Sequence, residues 1–533
     1  MSEEKTELAI EPTSTAAPPS PGSTSDAPDS PKFQKVEDGI VLIPRPLDDP
    51  RDPLNWPFRK KCVITGVLSL ALFAGYAAPF CGQLNLVQQS VLYHKTTVQI
   101  TYFNSASSAG LAAGGWFYSP LALKFGRSAV IFYSLLGCLA AQIWAPMMTG
   151  AGDYWSYFGS RFLAGFFGMV VSVLGPRYLV DMFFLHQRGR AFTIFQAALN
   201  IGASAGPTFS GFIAANLYWP VEYWWSVAIL AFTAIIVFLF LEETTFDRRE
   251  GAVNATPTEN WFSNRIQTFF PFLPGNTVIK PATLGEIATV AIMPFKIAIS
   301  PVILMIAGFD AISFGFYVAL NALTPVWLQK PVKAGGYGFT ITDNAAFTMV
   351  HWFGFLFGIV YGQLVSDRLP LWLASRKGGV WKPEYRLHAL WFTNLFLMPL
   401  GLGLVGCALQ YHLHYMVFAL GQFFVTIGSM VSIPVTVNYV AECFRSHTIE
   451  ATIPVNSMRL FLGLSINFYA NAWIAKVNIG WFYGMMAFFC VFAFGFLVVL
   501  MAWGHIIRQW TPFGLGEDEE GEHVVDGKSN LAV

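Results

Sequence analysis

Twelve long apolar runs constrain this chain more than any other feature of its sequence. They lie near 62–80, 101–122, 129–148, 156–180, 191–217, 222–241, 298–328, 345–366, 387–408, 413–440, 450–475 and 481–507. Each is about as long as a helix that crosses the hydrocarbon core of a bilayer, which needs about 20 apolar residues. Lipid offers the backbone no hydrogen-bond partners, so such runs fold as helices. The sequence therefore predicts an all-α membrane protein with twelve transmembrane helices.

The composition supports contact with the lipid bilayer. Charged residues make up 12% of the chain, against about 25% in a soluble domain. The formal net charge is zero, which gives no reason to expect a nucleic-acid partner. The six cysteines are scattered, without a CxxC or Cys/His cluster, so we predict no metal site and no cofactor.

A polar, proline-rich stretch divides the twelve runs into six and six. We expect a short amphipathic helix in it, around Trp261–Phe270. The predicted units are a disordered cytosolic tail over 1–58, a six-helix bundle over 59–241, a cytosolic linker over 242–297, a second six-helix bundle over 298–508 and a disordered cytosolic tail over 509–533.

The distribution of lysine and arginine predicts the orientation of the chain. With the N-terminus in the cytosol, most cations fall on the cytosolic side, in agreement with the positive-inside rule. The opposite side then holds only Lys95, Lys330, Lys333 and Lys476. Both termini are therefore expected in the cytosol, and the plasma membrane is the expected location. Glycosylation of Asn254, in the sequon Asn254-Ala-Thr256, would overturn this topology.

Two short passages repeat at equivalent places in the halves. Tyr178-Leu-Val-Asp181 closes the fourth run, and Tyr439-Val-Ala-Glu442 closes the tenth. Two six-helix halves related by a repeat, with a site near the midplane between them, are a common plan for transporters.

A glycine-rich passage in the fifth run carries a resemblance to a known family. Gly202-Ala-Ser-Ala-Gly206-Pro207-Thr-Phe-Ser210-Gly211 resembles the antiporter motif G-x-x-x-G-P-x-x-G-G of the major facilitator superfamily. The chain looks most like the fungal branch of twelve-span drug:proton antiporters. The resemblance implies two six-helix bundles, a small-molecule substrate, proton coupling and a monomer. Gly202, Gly206, Pro207 and Gly211 would then let helices approach closely, although an ordinary packing face explains them too.

The loop after the second run departs from the family pattern. Ser119-Pro-Leu-Ala-Leu-Lys-Phe-Gly-Arg127 resembles the signature G-x-L-x-D-R-x-G-R, but Leu123 replaces the acid and Ser119 the first glycine. The resemblance implies gating residues at the cytosolic end of the helices. These are Arg127 with Asp181 in the first half, and Asp367, Arg368 and Glu442 in the second.

Three charged residues lie within apolar runs, where a charge is costly and is a functional candidate. Arg161, in Arg161-Phe-Leu-Ala-Gly165, resembles the R-x-x-x-G motif that the family associates with proton coupling, or it snorkels to the interface. Asp310 could carry a proton or bind a cation, since burial disfavours a charged carboxylate. Arg459 could bind an anionic group or neutralise Asp310, and that pairing would weaken the proton-carrier role.

Uncharged polar residues within the runs are further candidates for a substrate or coupling site. His351 titrates near neutral pH unless its surroundings perturb it, but it is equally interpreted as a packing residue. Asn321 and Asn456 could line a cavity or form interhelical hydrogen bonds.

Two transport functions and one other class follow from these observations. The first is proton-coupled efflux of a xenobiotic or secondary metabolite by alternating access. The alternative is proton-coupled uptake of an organic cation such as a polyamine, which Asp310 would suit. An enzyme, a channel or a receptor is disfavoured, because no nucleophile–base set, phosphate-binding loop or filter-like repeat is visible.

Overall fold

A computed structural model describes most of the chain. The described residues are 36–37, 40–41, 47, 49–246, 248, 260–273, 276, 283–366, 368–379, 381–444 and 447–510. Near the start of this part, Val36–Glu37 and Ile40–Val41 form a short antiparallel pair of strands. All longer elements in the described part are helices.

The N-terminal half contains six membrane spans. Their helices are Phe58–Ala77, Thr97–Phe125, Arg127–Trp144, Tyr154–Gly168 followed by Val170–Met182, Leu185–Asn216, and Trp224–Phe240. Short 3₁₀ turns extend three of them, at Ala78–Phe80, Ala145–Met147 and Trp219–Tyr223. Proline lies inside several spans, as in Pro120 and Pro207, which membrane helices tolerate because neighbouring groups satisfy the freed carbonyls.

The C-terminal half contains the other six spans. Its helices are Pro301–Gln329, Ile341–Phe347 followed by Met349–Tyr361, Met398–Gln410 preceded by a π-helical turn at Trp391–Leu397, Tyr415–Cys443, and Thr448–Gln509. The last of these comprises two spans, because Asn478 (φ 69°, ψ 159°) breaks the helical geometry. We number the spans one to twelve in chain order.

The prediction of twelve spans in an all-α fold is confirmed. Nine helical stretches in the described part are long and apolar enough to cross a membrane, and one of them is the double span Thr448–Gln509. Spans two and five, with 29 and 32 residues, complete the set. They are less apolar because they carry small and polar residues where they meet the other half, such as Asn104 and Asn200.

Each half packs its helices in a corresponding way, and five spans form most of the contact between the halves. Span one packs along span five, and span seven packs along span eleven. Between the halves, span two meets span eleven, while span five meets spans eight and ten. We call the end of the molecule that holds the connection between the halves the linker end, and the opposite end the distal end.

The described part of the connection between the halves contains two helices. Trp261–Phe269 forms the helix expected around Trp261–Phe270. Leu284–Ala298 was not predicted; it packs against span two, where Phe295 stacks on Trp116 at 4.4 Å between ring centroids. Its start carries a capping box, in which the Thr283 and Glu286 side chains each accept from the other's backbone N–H. That pattern is a sequence signal for a helix start.

Candidate functional site

A closed cavity of about 70 Å³ lies between the two halves. Much of its wall is aromatic or aliphatic, with Tyr76, Phe80, Phe314 and Phe347 among the contributors. The described residues that line it include no Asp, Glu, Lys or Arg. The polar ones are Gln83, Asn104, Ser108, Ser204, Tyr317, Asn321, Thr324, Asn344, Thr348, His351 and Asn467. A small ligand here would meet rings, hydroxyls and amides rather than full charges.

Hydrogen bonds between the halves close the cavity toward the distal end. The Gln83 side chain donates to the Asn321 carbonyl at 2.9 Å. The Gln329 side chain of the second half donates to the backbone carbonyl of Leu84 in the first half, also at 2.9 Å. Outside this closure lies a vestibule of about 750 Å³ between the halves. We call these two hydrogen bonds the distal gate.

A second set of contacts closes the cavity toward the linker end. Ser119 of span two donates to the Glu450 carboxylate of span eleven at 2.8 Å. One level nearer the cavity, the Ser457 hydroxyl donates to the Ala112 carbonyl at 3.1 Å. The halves therefore touch on both sides of the cavity, and the structure is an occluded arrangement.

Two of the predicted site residues, His351 and Asn321, line this cavity. The Gln422 amide nitrogen lies 3.1 Å from His351 Nε2 and 3.4 Å from Asn321 Oδ1. Because an amide nitrogen only donates, Nε2 accepts, and the proton lies on Nδ1, 2.9 Å from the Thr426 hydroxyl. His351 is thus a neutral ring with both nitrogens bonded, in the cavity wall.

Other wall groups have no hydrogen-bond partner among the described residues. The Tyr317 hydroxyl is one, and both side-chain atoms of Asn344 are others. Both residues are buried, at 3% and 0% exposure. A buried polar group without a partner is costly, so these are the wall atoms most available to a ligand or to water.

Arg161 lies outside the central cavity, in the interior of the N-terminal half. It is 1% exposed, so it does not snorkel to the membrane surface. Its guanidinium donates to the Ala78 carbonyl at 3.3 Å and to Gln142 Oε1 at 3.2 Å. It borders a small pocket that shares Gln83 and Asn104 with the central cavity. One layer of side chains thus separates Arg161 from the cavity.

Asp310 and Arg459 are fully buried, and neither lines the central cavity. Asp310 accepts from the Thr436 hydroxyl at 2.8 Å through one oxygen, and its other oxygen has no partner among the described residues. Among the described residues, the Arg459 guanidinium has no hydrogen-bond partner. Its central carbon lies 5.0 Å from the centre of the Phe314 ring. In this conformation the direct Asp310–Arg459 ion pair is absent. Phe314 contacts both the cavity and Arg459.

Asn456 is buried close to Arg459 and does not line the cavity. It is 1% exposed, and its Oδ1 has no hydrogen-bond partner among the described residues. Its position favours a role in the polar surroundings of Arg459 over direct contact with a ligand in this conformation.

The described members of the predicted gating set lie at the linker end. Asp181 binds Arg127 at 2.7 Å and Arg177 at 3.0 Å, all within the N-terminal half. In the second half, Glu442 pairs with Arg386 at 2.5 Å.

The other two gating candidates make no described pair. Arg368 is exposed at the start of the helix Arg368–Arg376, and Asp367 lies outside the described residues. In the described part of the second half, the partner of Glu442 is therefore Arg386, which the comparison with the family signature did not single out.

The glycines of the fifth span hold it close to the first. A Cβ on Gly202 would lie 2.5 Å from the Phe73 carbonyl oxygen, and one on Gly206 would lie 2.5 Å from that of Ala77. Pro207 lines the central cavity. Gly211 lies against the other half, where a Cβ would be 2.9 Å from that of Ala345.

Sequence reasoning missed two acids that the fold places in central positions. Glu450 contacts Ser119 across the halves, and the serine that replaces the family glycine was a signal for it. Glu222 is fully buried near the distal end of the N-terminal half and accepts from Asn85 at 2.7 Å. Its place in Trp219-Pro-Val-Glu222-Tyr223-Trp-Trp, a charge among aromatic residues, was the available signal.

Two six-helix halves around a closed central cavity define a multi-pass membrane transporter. The sequence profile of the Major Facilitator Superfamily matches residues 66–381, more than half of the chain. The chain therefore belongs to the major facilitator superfamily, and it is similar to fungal transporters along most of its length.

Among these, "Efflux pump radE" of Floropilus chiversii is 25% identical and aligns over 91% of this chain and 87% of its own length. "MFS-type transporter hepF" of Aspergillus oryzae is 24% identical, and the alignment covers 92% of this chain and 99% of hepF.

Solved structures of the superfamily share the fold. The proton:xylose symporter XylE superposes with a TM-score of 0.58 at 14% identity, covering 84% of this chain and 96% of XylE. The human organic anion transporter MFSD10 superposes with a TM-score of 0.53 at 14% identity. The superposition covers 83% of this chain and 100% of MFSD10.

Proposed function

We propose that this chain exports a small, uncharged or weakly polar organic molecule, such as a xenobiotic or a secondary metabolite, by proton-coupled alternating access. The observation that carries the proposal is the uncharged, aromatic and amide-lined cavity that both halves enclose. A cavity of this chemistry binds through ring contacts and a few hydrogen bonds. Rocking of the halves would open it to one side at a time.

The cavity wall favours a neutral substrate over an organic cation. Aromatic rings attract a cation, but a polyamine carries several charges, and each buried charge also needs a carboxylate partner. Asp310, the intramembrane acid of the second half that the sequence singled out, is buried outside the wall. Uptake of an organic cation is therefore the weaker alternative.

Export is supported by the Gly-Pro motif of span five and by the printed name of the relative radE, an efflux pump. Proton coupling is supported by the buried groups beside the cavity. Asp310 would bind and release the proton, Arg459 would respond to its charge, and Arg161 and His351 would link charge changes to the cavity. Burial raises the cost of each charged state, so protonation and conformation become linked.

The proposed arrangement in the membrane follows the cation bias. We place the linker end and both termini in the cytosol, the protein in the plasma membrane and the chain as a monomer. The two bundles would be residues 59–241 and 298–508, with 242–297 as the connection and the tails 1–58 and 509–533 as separate units. A glycosylated Asn254, which lies outside the described residues, would reverse this orientation.

A transport screen tests the proposal. Inverted vesicles from a strain without its own pumps would be incubated with matched pairs of compounds, each a neutral molecule and its amine analogue, with and without an acidic lumen. We expect gradient-driven accumulation of neutral members, and loss of that pH dependence in Asp310→Asn. Accumulation of only the amines, or transport unaffected by the gradient, would contradict the proposal.

Removing a single oxygen atom from the cavity wall tests whether the cavity is the substrate-binding site. Tyr317→Phe removes one hydroxyl that has no partner among the described residues, so we expect KM to rise up to about tenfold with folding intact, the value of one hydrogen bond. Tyr411→Phe is the matched control, because Tyr411 is 71% exposed at the distal end. Equal KM values in the two variants would remove Tyr317 from the binding site.

A further inference from the structure

We propose that Glu222 carries a proton that controls the distal gate. The inference rests on the proposed function, since a proton-coupled cycle needs a titratable group that is connected to a gate. It adds a second acid, in the N-terminal half, to the coupling role proposed for Asp310.

Glu222 is a buried carboxyl with one unpartnered oxygen. Its exposure is 0%. One oxygen accepts from the Asn85 amide at 2.7 Å, and the other has no hydrogen-bond partner among the described residues. A buried charge must be neutralised or fully bonded to be stable, and Glu222 is only half bonded. The carboxyl is therefore placed to change its protonation state.

The groups that face Glu222 are few. Arg161 of span four lies in the same cluster without an ion pair to Glu222 within 4.0 Å, and its guanidinium carbon is 4.9 Å from the Tyr223 ring and 5.5 Å from the Tyr157 ring. The two tyrosine hydroxyls hydrogen-bond each other. Among the described residues, Cys81 is a further titratable neighbour, and the Tyr223 hydroxyl also interacts with the Glu222 carboxyl. Arg161 favours the carboxylate and burial favours the neutral acid, so the two effects oppose each other.

The network holds one piece of chain at both ends. We call residues 78–85, which follow span one, the gate segment. Its first residue, Ala78, accepts through its carbonyl from Arg161 at 3.3 Å. Its last residue, Asn85, is the donor to Glu222. A change of charge at Glu222 therefore acts on a bond made by the gate segment itself.

The middle of the gate segment lies directly against the tyrosine pair. Gly82 has φ +86°, a conformation that suits glycine. A Cβ there would collide with the Tyr223 hydroxyl and would lie 2.8 Å from that of Tyr157. The gate segment therefore packs against the tyrosine pair with no room for a side chain between them.

The two residues that follow Gly82 make the distal gate. Gln83 donates to the Asn321 carbonyl, and the Leu84 carbonyl accepts from Gln329, each at 2.9 Å. The bonds that close the cavity and the bond to Glu222 thus belong to a stretch of three consecutive residues. A shift at one is transmitted to the others through the backbone.

The cycle follows from this connection. Leu86 and Val87, next to Asn85, line the distal vestibule, whose water would supply the proton. Transfer of a proton from hydronium to the Glu222 carboxylate gives a neutral acid and water. The hydrogen bond from Asn85 then loses its charged acceptor and weakens, which releases the gate segment. Return of the proton to water restores the bond and the closed gate.

Pulsed electron spin resonance on the full chain in lipid nanodiscs tests this without a substrate. Spin labels at Val87→Cys and Val332→Cys would report the width of the vestibule, since these valines are 51% and 70% exposed on opposite halves. The parent would carry Cys62→Ser and Cys407→Ser, because these two are the exposed cysteines. We expect its distance distribution to gain a longer component as pH falls from about 8 to about 5.

The variants decide the role of Glu222. Glu222→Gln keeps an acceptor for Asn85 and should show the low-pH distribution at every pH. Asp153→Asn is the matched control, an acid at the distal end of the same half that, within the described structure, accepts from its own loop at Gly150, and it should keep the parent's pH response. A pH-independent parent, or an unchanged response in Glu222→Gln, would overturn the inference while leaving the transport proposal to its own test.

Discussion

At the residue scale, the C-terminal half holds its buried charges in two different ways. Glu442 and Arg386 form an ion pair of 2.5 Å, and Trp381 donates to the same carboxylate at 3.3 Å. Asp310 and Arg459 are equally buried but form no ion pair within 4.0 Å in the described structure. The first arrangement is locked, whereas the second leaves both groups able to find new partners when the halves move.

Double-mutant cycles on thermal unfolding should separate these two arrangements. We expect a coupling free energy of about 3 kcal/mol or more between Glu442→Gln and Arg386→Met, because each single change leaves a buried charge unpaired. Between Asp310→Asn and Arg459→Met the coupling should be clearly smaller, because the two buried charges attract each other without a direct contact. A coupling as large as that of the first pair would show that Asp310 and Arg459 bind each other directly.

At the element scale, spans one and five pack closely because the glycines of span five have no side chain at their contact. Gly202 and Gly206 lie on the face of span five that meets span one, where backbone carbonyls take the space of a Cβ. Close helix approach gains van der Waals contact, the main attraction between helices in lipid. The gate segment begins where span one ends, so this contact also fixes its starting point.

Gly206→Ala should therefore destabilise the fold although alanine is the better helix former. Its Cβ would lie 2.5 Å from the Ala77 carbonyl oxygen, so the spans must separate, at a cost of about 1–3 kcal/mol. The matched control is Gly66→Ala in span one, which meets nothing within 4 Å and should be neutral or stabilising by up to about 1 kcal/mol. Thermal unfolding in detergent measures both. Equal effects would refute the packing role.

At the scale of the whole molecule, two gates of different chemistry enclose one cavity. The linker end uses a charge-assisted contact, Ser119 to Glu450 at 2.8 Å. The distal gate uses two amide-to-carbonyl bonds, from Gln83 and Gln329. Alternating access requires that weakening one closure favours opening at that end and protects the other.

Hydrogen exchange should show this reciprocity. In Glu450→Ala, backbone amides at the linker ends of spans two and eleven should exchange faster, and those at the distal ends more slowly. Gln329→Ala should give the reverse pattern. Mass spectrometry of peptides from both ends, on the full chain in nanodiscs, makes the measurement. Faster exchange at both ends in both variants would indicate general loosening and would contradict the two-gate arrangement.

The sequence by itself determined the class of fold and named two residues that line the central cavity. Twelve apolar runs could only be satisfied as helices in lipid, the glycines of span five required a close neighbour, and the acid that closes span four required a cation. His351 and Asn321 were found because polar residues in apolar runs are costly. These inferences rest on local length, composition and spacing, which a chain carries without its partners.

Only the tertiary structure decided where those residues lie and which partners they bind. It placed Arg161, Asp310 and Arg459 one layer behind an uncharged cavity, gave Glu442 the partner Arg386, and joined Asn85 to Glu222 across 137 positions of sequence. Sequence spacing cannot supply this, because which helix faces meet depends on the packing of all twelve spans together. A charged residue in an apolar run indicates that a partner is needed, but only the fold determines which residue that partner is.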